Sequence, residues 1–257
     1  MDYLIICLVS LFASGLTLFS GFGLGTLLLP AFAIFFPTEV AVALTAVVHF
    51  LNNLFKLFLL GKFADKEVVL KFGIPAILAA FIGAKALLWL ADLSAIATYQ
   101  LGGQEFQITP VNLVIGILMI LFAAIELIPE AKNFSLNRKF LPMGGVLSGF
   151  FGGMSGHQGA LRTVFLLRCG LSKEGFIATG VVIACLIDTS RLFVYSERFT
   201  AANLNENIGL LIAASLTAFV GAYVGRLLMK KVTMRAIQIL VSIMLFILAI
   251  ALISGII

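Results

Sequence analysis

The residues of this chain that are best suited to chemistry lie in and just after a glycine-rich interruption of an apolar segment, Gly152 to Gly159, which we call the second break. They are suited to hold an anion. The cluster consists of Ser155, Gly156, His157, Gln158 and, about one helical turn later, Arg162. A guanidinium stays protonated and binds a carboxylate or sulfonate through two parallel hydrogen bonds. A helix that begins at the break adds free N–H donors and a partial positive charge. The cluster therefore predicts a binding site for a compact anion.

An earlier break offers similar donors without a charged side chain. It consists of Ser20, Gly21, Phe22 and Gly23. Where two helix N-termini converge, both sets of N–H groups can contact one anion, so we expect both breaks to bind the same ligand. The alternative is that the glycines of the breaks serve close helix packing.

Polar and ionisable residues form one stripe on an otherwise apolar helix. Thr45, His49, Asn52 and Lys56 recur at intervals of three or four residues, which places them on one helix face. Ionisable groups inside a span are costly and mark functional sites, so we expect His49, Asn52 and the adjacent Asn53 to bind the anion. Two simpler explanations stay open: His49 makes an interhelical hydrogen bond, and Lys56 extends to the cytoplasmic surface.

A second helix carries a related stripe of Asp188, Arg191 and Tyr195. We expect Lys56, Asp188 and Arg191 to act in gating or at the entrances, with the two basic side chains near opposite faces of the membrane. Alternatively, Asp188 pairs with Arg191, three residues further along the same helix, or with Arg162 of the second break.

The composition is that of an integral membrane protein with little mass outside the bilayer. Hydrophobic residues make up 61% of the chain and charged residues 11%, whereas soluble domains carry about 25% charged residues. The net charge of +5 comes from basic residues in short loops, so it indicates orientation in lipid and no nucleic-acid partner. Cys7, Cys169 and Cys185 lack a C-x-x-C spacing, and we expect neither a metal nor a cofactor.

The apolar segments predict an all-α polytopic membrane fold in two inverted-topology repeats, each a broken re-entrant helical hairpin plus three transmembrane helices. The first repeat, 1–128, contains a hairpin at 3–36 and spans at 38–60, 68–91 and 110–128. A cytoplasmic linker at 129–139 precedes the second repeat, 140–257, which contains a hairpin at 140–168 and spans at 175–196, 205–229 and 233–256.

Charges in the connections predict the orientation of the chain in the inner (plasma) membrane. Basic residues occupy the connections 61–67, 129–139, 169–174 and 229–233, whereas 92–109 contains acids and no base. The positive-inside rule places the four basic connections in the cytoplasm and 92–109 outside.

Both ends of the 140–168 segment are then cytoplasmic, so this segment must enter the membrane and return. The same shape for 3–36, followed by three crossings, inverts the second repeat and places both termini outside. Two such hairpins meet near the midplane, where broken backbone is tolerated when it is buried in protein or lines a cavity.

Matching residues support a duplication. At one constant spacing, four residues of the first half (Ser20, Gly21, Asn53 and Lys56) align with Ser155, Gly156, Asp188 and Arg191. Chance similarity between apolar helices is the alternative, but polar positions match as well. The small-residue pair Gly221 and Gly225 indicates a close helix contact within or between subunits, so a homodimer stays open.

The breaks carry a motif that is present twice. The two copies are Gly15…Ser20-Gly21-Phe22-Gly23-x-Gly25…Pro30 and Gly149…Ser155-Gly156-His157-Gln158-Gly159-Ala160-Leu161-Arg162. They resemble the motifs of the TauE/SafE-type sulfite exporter family, whose members are duplicated bacterial and plant membrane transporters. The resemblance covers essentially the whole chain and implies transport of a sulfur-containing anion such as sulfite or sulfoacetate. The second copy departs from the family pattern, with Val164 at the proline position, and its additional donors favour a larger organosulfonate.

These observations predict an exporter that works by alternating access, with a small anion held between the two hairpin tips. The alternative is a cation permease or channel, which requires inward carboxylates such as Asp188. We do not expect an enzyme, because the chain has no H-E-x-x-H motif, no paired carboxylates and no elbow motif around Ser155 and His157.

Overall fold

A computed structural model describes residues 2–20, 23–127, 137–167, 169–199, 204–228 and 234–257 of the chain. This part contains ten α-helices and two short β-strands. The first five helices are α1 (Asp2–Ser20), α2 (Leu24–Ala33), α3 (Thr38–Leu60), α4 (Lys66–Ala91) and α5 (Pro110–Leu127). The other five are α6 (Leu141–Ser155), α7 (Gly159–Leu166), α8 (Lys173–Phe199), α9 (Leu204–Leu228) and α10 (Met234–Ile253). Most of the predicted linker at 129–139 lies outside the described residues.

The outer surface of this bundle is suited to lipid. Within the described residues, α3, α4, α8 and α9 contain stretches long and apolar enough to cross a membrane. Large apolar side chains face outward; Phe58, Leu78 and Trp89 are 88%, 65% and 63% exposed. Soluble monomers rarely expose large contiguous apolar patches, whereas lipid solvates them. The predicted helical membrane character is therefore confirmed.

The connection between α4 and α5 differs from the all-α prediction. It forms an antiparallel hairpin of β1 (Ala97–Leu101) and β2 (Gln104–Ile108). Gly102 and Gly103, at φ +62° and +84°, make the two-residue turn. Tyr99 Oη donates to the carbonyl oxygen of Ser254 at 2.6 Å, which attaches the hairpin to the end of α10. The prediction missed the hairpin because two strands of five residues carry little periodicity.

The second break turns the chain back on itself. Helix α6 ends at Gly156, whose φ of +80° is the left-handed conformation that commonly terminates helices. Helix α7 then runs antiparallel to α6, so that the ring of Phe165 packs against Gly144 near the beginning of α6. At the base of this hairpin, Arg138 donates to the carbonyl oxygen of Cys169.

The first break lies between α1 and α2, and its end approaches the second break. Gly23 precedes the first residue of α2. A Cβ placed on Gly25 would lie 3.8 Å from the carbonyl oxygen of Gly156 and 3.5 Å from Cγ2 of Thr45 on α3. The two breaks therefore meet beside α3.

Glycines bring the first arm of each broken segment into direct contact with a long helix. Gly145, Gly149 and Gly153 of α6 face α4, and a Cβ on any of them would lie between 2.1 and 2.3 Å from a backbone carbonyl oxygen of α4. Gly221 and Gly225 of α9 meet the backbone of α1 in a similar way. Such close contact is how helices associate where lipid removes the hydrophobic driving force. The small-residue pair of α9 is thus used within the chain.

The remaining helices complete the bundle and define its two ends. Helix α3 packs against α8, and α5 packs against α10. The beginning of α4 and the base of the α6–α7 hairpin lie together, since Arg138 lies 3.4 Å from Glu67. The beginning of α8 joins them, because a Cβ on Gly175 would lie 3.4 Å from the carbonyl oxygen of Phe63. We call this the basic end of the bundle; its described basic residues are Lys62, Lys66, Lys71, Arg138, Lys139 and Lys173.

We expect Gly153→Ala to destabilise the protein by roughly 1–3 kcal/mol, the usual cost of overpacking. The added Cβ would lie 2.1 Å from the carbonyl oxygen of Ala80, so α4 and α6 must separate. Thermal unfolding of the purified protein in detergent measures the effect. Gly61→Ala is the control, because its Cβ meets the movable side chain of Leu57 at 2.9 Å. Equal stability of the two variants would contradict the proposed helix contact.

Candidate functional site

A polar cavity of about 60 Å³ extends from the meeting point of the two breaks toward the basic end. Gly23 and His49 line its central part, and Leu166 and Phe176 line the part nearer the basic end. The walls come from α3, α7, α8, the beginning of α2 and, through Thr17, α1. The polar side chains in the lining are Thr17, His49, Asn53, Lys56, Arg162 and Thr163.

Two basic side chains line this cavity without an acidic partner. Lys56 is 6% exposed, and Nη1 of Arg162 is buried without a hydrogen-bond partner. No carboxylate of the described residues forms an ion pair with either side chain, so Arg162 does not pair with Asp188. The two positive charges also repel each other. Unpaired charges in low-dielectric surroundings are strongly unfavourable, and a bound anion would remove this cost.

Asp188 is the centre of a buried hydrogen-bonded cluster at the central end of the cavity. Its Oδ2 accepts from Nδ1 of His49 at 2.6 Å and from the amide of Asn53 at 3.3 Å. Its Oδ1 accepts from the amide of Gln158 at 3.3 Å and from Nε of Arg191 at 3.0 Å. We call these five residues the Asp188 cluster; it joins α3 and α8 to the beginning of α7.

Asp188 and Arg191 do not lie at an open entrance in this structure, and their role in gating stays a prediction. Both are fully buried, and Nη2 of Arg191 lies 2.8 Å from Oδ1 of Asp188. On the other side of the guanidinium, a Cβ on Gly156 would lie 2.9 Å from Nη1. A charged side chain in apolar surroundings takes the nearest counter-charge, and the spacing of three residues puts the carboxylate within reach. The simpler explanation, a pair on one helix, is correct.

His49 and Lys56 both line the cavity. Lys56 is buried there and does not extend to the cytoplasmic surface. His49 makes the interhelical hydrogen bond that was the simpler explanation for it, and it also borders the cavity. Its Nδ1 faces Asp188, whereas a Cβ on the cavity-lining Gly23 would lie 3.2 Å from its Nε2. The imidazole thus bridges the Asp188 cluster and the cavity.

Five predicted ligand residues do not line the cavity: Asn52, Ser155, Gly156, His157 and Gln158. Asn52 accepts a hydrogen bond from Ser14 of α1 at 3.1 Å. Nδ1 of His157 lies 3.0 Å from the carbonyl oxygen of Ser155, and its ring stacks on Phe122 of α5 at 5.7 Å between centroids. The turn at the second break directs His157 toward α5, because α6 ends there and the chain reverses. Gln158 points the other way, to Asp188.

The first break contributes Gly23 to the cavity. Of Ser20 the structure describes the backbone, at the end of α1. Gly21 and Phe22 lie outside the described residues, so their contacts with an anion stay a prediction.

Thr17, Thr163 and Gly180 line the cavity and were not predicted. A Cβ on Gly180 would lie 3.3 Å from Nε of Arg162, so this glycine leaves room for the guanidinium. Thr163 directly follows Arg162 and could have been found from that position. Thr17 and Gly180 carry no comparable signal, since small polar residues and glycines are common in membrane helices.

The sequence model of a family described as sulfite exporter TauE/SafE matches residues 6–252 of the 257-residue chain. The matched region includes both breaks, the cavity and the Asp188 cluster. No curated protein and no solved structure matches the chain.

We expect Asp188→Ala to lower the free energy of unfolding by about 3–5 kcal/mol, because it leaves the guanidinium of Arg191 buried without its counter-charge. Replacing Asp188 and Arg191 together by leucine removes both charges and should recover most of the loss. Thermal unfolding in detergent measures both variants. Glu67→Gln, which removes an exposed carboxylate, is the control and should change little. A double variant less stable than Asp188→Ala would contradict this account.

Proposed function

The chain belongs to the sulfite exporter TauE/SafE family, and on this premise we propose that it exports a small sulfur oxyanion that binds in the cavity between Lys56 and Arg162. The family implies a membrane transporter of sulfite or a related sulfur-containing anion. The substrate, the site and the mechanism given below are proposals for this chain.

The observation that carries the proposal is the pair of cavity-lining cations, the buried Lys56 and the partly buried Arg162, without an acid. Lys56 and Arg162 line one cavity, and no described carboxylate pairs with them. Arg162 lines the cavity, and its planar fork suits the oxygens of an oxyanion. His49, Asn53 and Thr163 supply neutral hydrogen-bonding groups around it. A small anion would neutralise the two charges.

The size of the cavity favours an inorganic oxyanion such as sulfite over an organosulfonate such as sulfoacetate. A volume of about 60 Å³ holds roughly four to six water molecules, at about 10–15 Å³ for each. The donors that favoured a larger ligand, Ser155 and His157, lie outside the lining. We therefore do not retain the larger organosulfonate as the preferred substrate.

The lining also argues against a cation permease or channel. Such a site needs inward carboxylates or carbonyl rings. The described residues of the lining contain no acid, and the nearby Asp188 is already shared by His49 and Arg191. A metal cation would meet two positive charges instead.

Helix packing supports two inverted repeats. If α1–α5 correspond to α6–α10, then the packing of α1 on α9 corresponds to that of α6 on α4, and α3–α8 and α5–α10 are self-paired. Asn53 and Asp188 occupy equivalent positions in the aligned halves, and they touch each other at 3.3 Å. Contact between equivalent residues is expected where a pseudo-two-fold axis passes.

This symmetry suggests how access alternates. Lys56 and Arg191 are equivalent, yet Lys56 lines the cavity and Arg191 is sealed against Asp188 and Gly156. The cavity thus lies in the half of the site near the basic end, whereas the equivalent position in the opposite half is filled by the pair of Arg191 and Asp188. Exchange of the two conformations between the repeats would close the cavity at Lys56 and open one beside Arg191.

Export follows from the orientation that we propose. The basic end faces the cytoplasm by the positive-inside rule, which places both termini outside the inner membrane and opens the cavity inward. An inside-negative potential then favours outward movement of an anion by about 2.3 kcal/mol per charge per 100 mV.

We expect Arg162→Gln and Lys56→Met each to weaken sulfite binding by about thirtyfold or more, because each removes one positive charge from beside the anion, a loss of roughly 2–5 kcal/mol. Isothermal titration calorimetry of the purified protein in detergent measures the affinity. Sulfoacetate is titrated in parallel and should bind more weakly than sulfite to the wild type.

Lys62→Met is the matched control, since Lys62 is an exposed lysine at the basic end and should leave the affinity unchanged. Sulfite efflux from proteoliposomes should fall in the two cavity variants and persist in the control. Unchanged binding in both cavity variants would overturn the site, and loss of binding in all three would point to a diffuse charge effect.

A further inference from the structure

We propose that anion binding in the cavity is coupled to the uptake of one proton on Nε2 of His49, with Asp188 as the residue that positions and stabilises the imidazolium. This inference rests on the proposed function, because it concerns the same cavity. The proton binds to His49 and not to His157, the other histidine of the chain.

The tautomer of His49 follows from its contacts. A carboxylate accepts hydrogen bonds and donates none, so the 2.6 Å contact with Asp188 requires the hydrogen on Nδ1 of His49. Nε2 then carries the lone pair of the ring; the amide nitrogen of Asn53 lies 3.3 Å from Nε2 and 3.1 Å from Nδ1. This lone pair is on the edge of the ring beside Gly23 and the cavity.

Without a bound anion, the charges that surround His49 oppose protonation of this lone pair. Asp188 and Arg191 of α8 pair with each other, so the carboxylate is already largely neutralised. Arg162 of α7 and Lys56 of α3 remain as unpaired positive charges on the cavity side. From α2, the neighbours are the uncharged Gly23 and Gly25. A second proton on His49 would add a third positive charge to this side.

A bound anion favours protonation of Nε2 of His49. It neutralises Lys56 and Arg162, and its oxygens are acceptors toward which a protonated Nε2 can donate. Nδ1 still donates to Asp188, so the imidazolium lies between two negative groups. The proton comes from water, forms the Nε2–H bond and returns to water when the anion leaves. No other bond forms or breaks.

The coupling is reciprocal, so a lower pH must tighten anion binding as much as the anion favours protonation. A dianion that binds with one proton adds one net negative charge to the protein. If both ions leave on the far side, half as much charge crosses the membrane per anion.

His157 is not suited to this role. Its Nδ1 is held by Ser155, its ring stacks on Phe122, and it does not line the cavity. The chain contains two histidines, so His157 provides a matched control for His49.

The test is calorimetric titration of the full-length protein in detergent with sulfite and with thiosulfate, in buffers of different ionisation enthalpy. Thiosulfate is included because it does not itself take up a proton near neutral pH. We expect about one proton to be taken up per bound anion, and the affinity to rise by up to about tenfold for each pH unit lowered across the transition.

In His49→Gln, which keeps a donor toward Asp188, we expect weaker binding without linked protons. In His157→Gln the proton count should match the wild type. Thermal unfolding of each variant establishes that it is folded. If His49→Gln does not fold, the double variant Asp188→Asn/Arg191→Gln, which removes the carboxylate that stabilises the imidazolium without leaving Arg191 unpaired, should show the same loss of linked protons.

The outcomes separate this inference from the proposed function. Binding of either anion to the wild type without a linked proton, or a proton count unchanged in His49→Gln, overturns the role of His49 and leaves the anion site standing. If neither anion binds to the folded wild type, the proposed function itself fails.

Discussion

The carboxylate of Asp188 is the interaction on which the centre of this protein depends. It is fully buried in a bundle surrounded by lipid, where water cannot solvate a charge. It is stable there because Arg191, His49, Asn53 and Gln158 all donate to it. These donors come from α3, from α8 and from the second break, so one charge holds three parts of the chain in register. Because Asp188 takes Arg191, the cations at Arg162 and Lys56 are left for a ligand.

The broken helices inside the membrane depend on a second constraint, which is the close approach of helix backbones. Glycines on α6 and α9 let α4 and α1 pack with almost no side chain between them. This packing supports the arms of the broken segments, whose short helices α2 and α7 would be marginal alone. The ends of those arms then meet beside α3, and the polar backbone that they expose lines a cavity. The same glycines therefore position the site and bury the breaks.

The asymmetry between the two halves of the site is the feature on which the proposed mechanism rests. Lys56 and Arg191 occupy matching sequence positions, yet one lines a cavity and the other is fully buried against an acid. The difference arises because position 188 is an acid and its counterpart, position 53, is an amide. Asp188 pairs with Arg191 and fills its half of the site. Asn53 carries no charge, so Lys56 has no acidic partner at the equivalent position. Proton binding at His49 would be a further consequence, since this residue lies where the closed and open halves meet.

The sequence by itself determined the membrane class, the helical character, the resemblance to the sulfite exporter family and much of the site. Composition settles the first two, because a chain with 61% hydrophobic residues cannot form a soluble fold of this size. Glycine-rich breaks and polar or ionisable residues within apolar helices predicted His49, Asn53, Lys56 and Arg162 as site residues, because both features are costly inside a membrane. Tertiary structure decided which charges pair. The sequence left Asp188 two candidate partners, Arg162 and Arg191. The helix geometry pairs it with Arg191, which is therefore buried in the core and does not lie at an entrance. The direction of the turn at Gly156 places His157 beside α5 and Gln158 beside Asp188. The volume of the cavity between α3, α7 and α8 is the basis of the anion size that we propose. Such outcomes depend on the relative placement of helices, and a pattern read along one chain contains no distance between them.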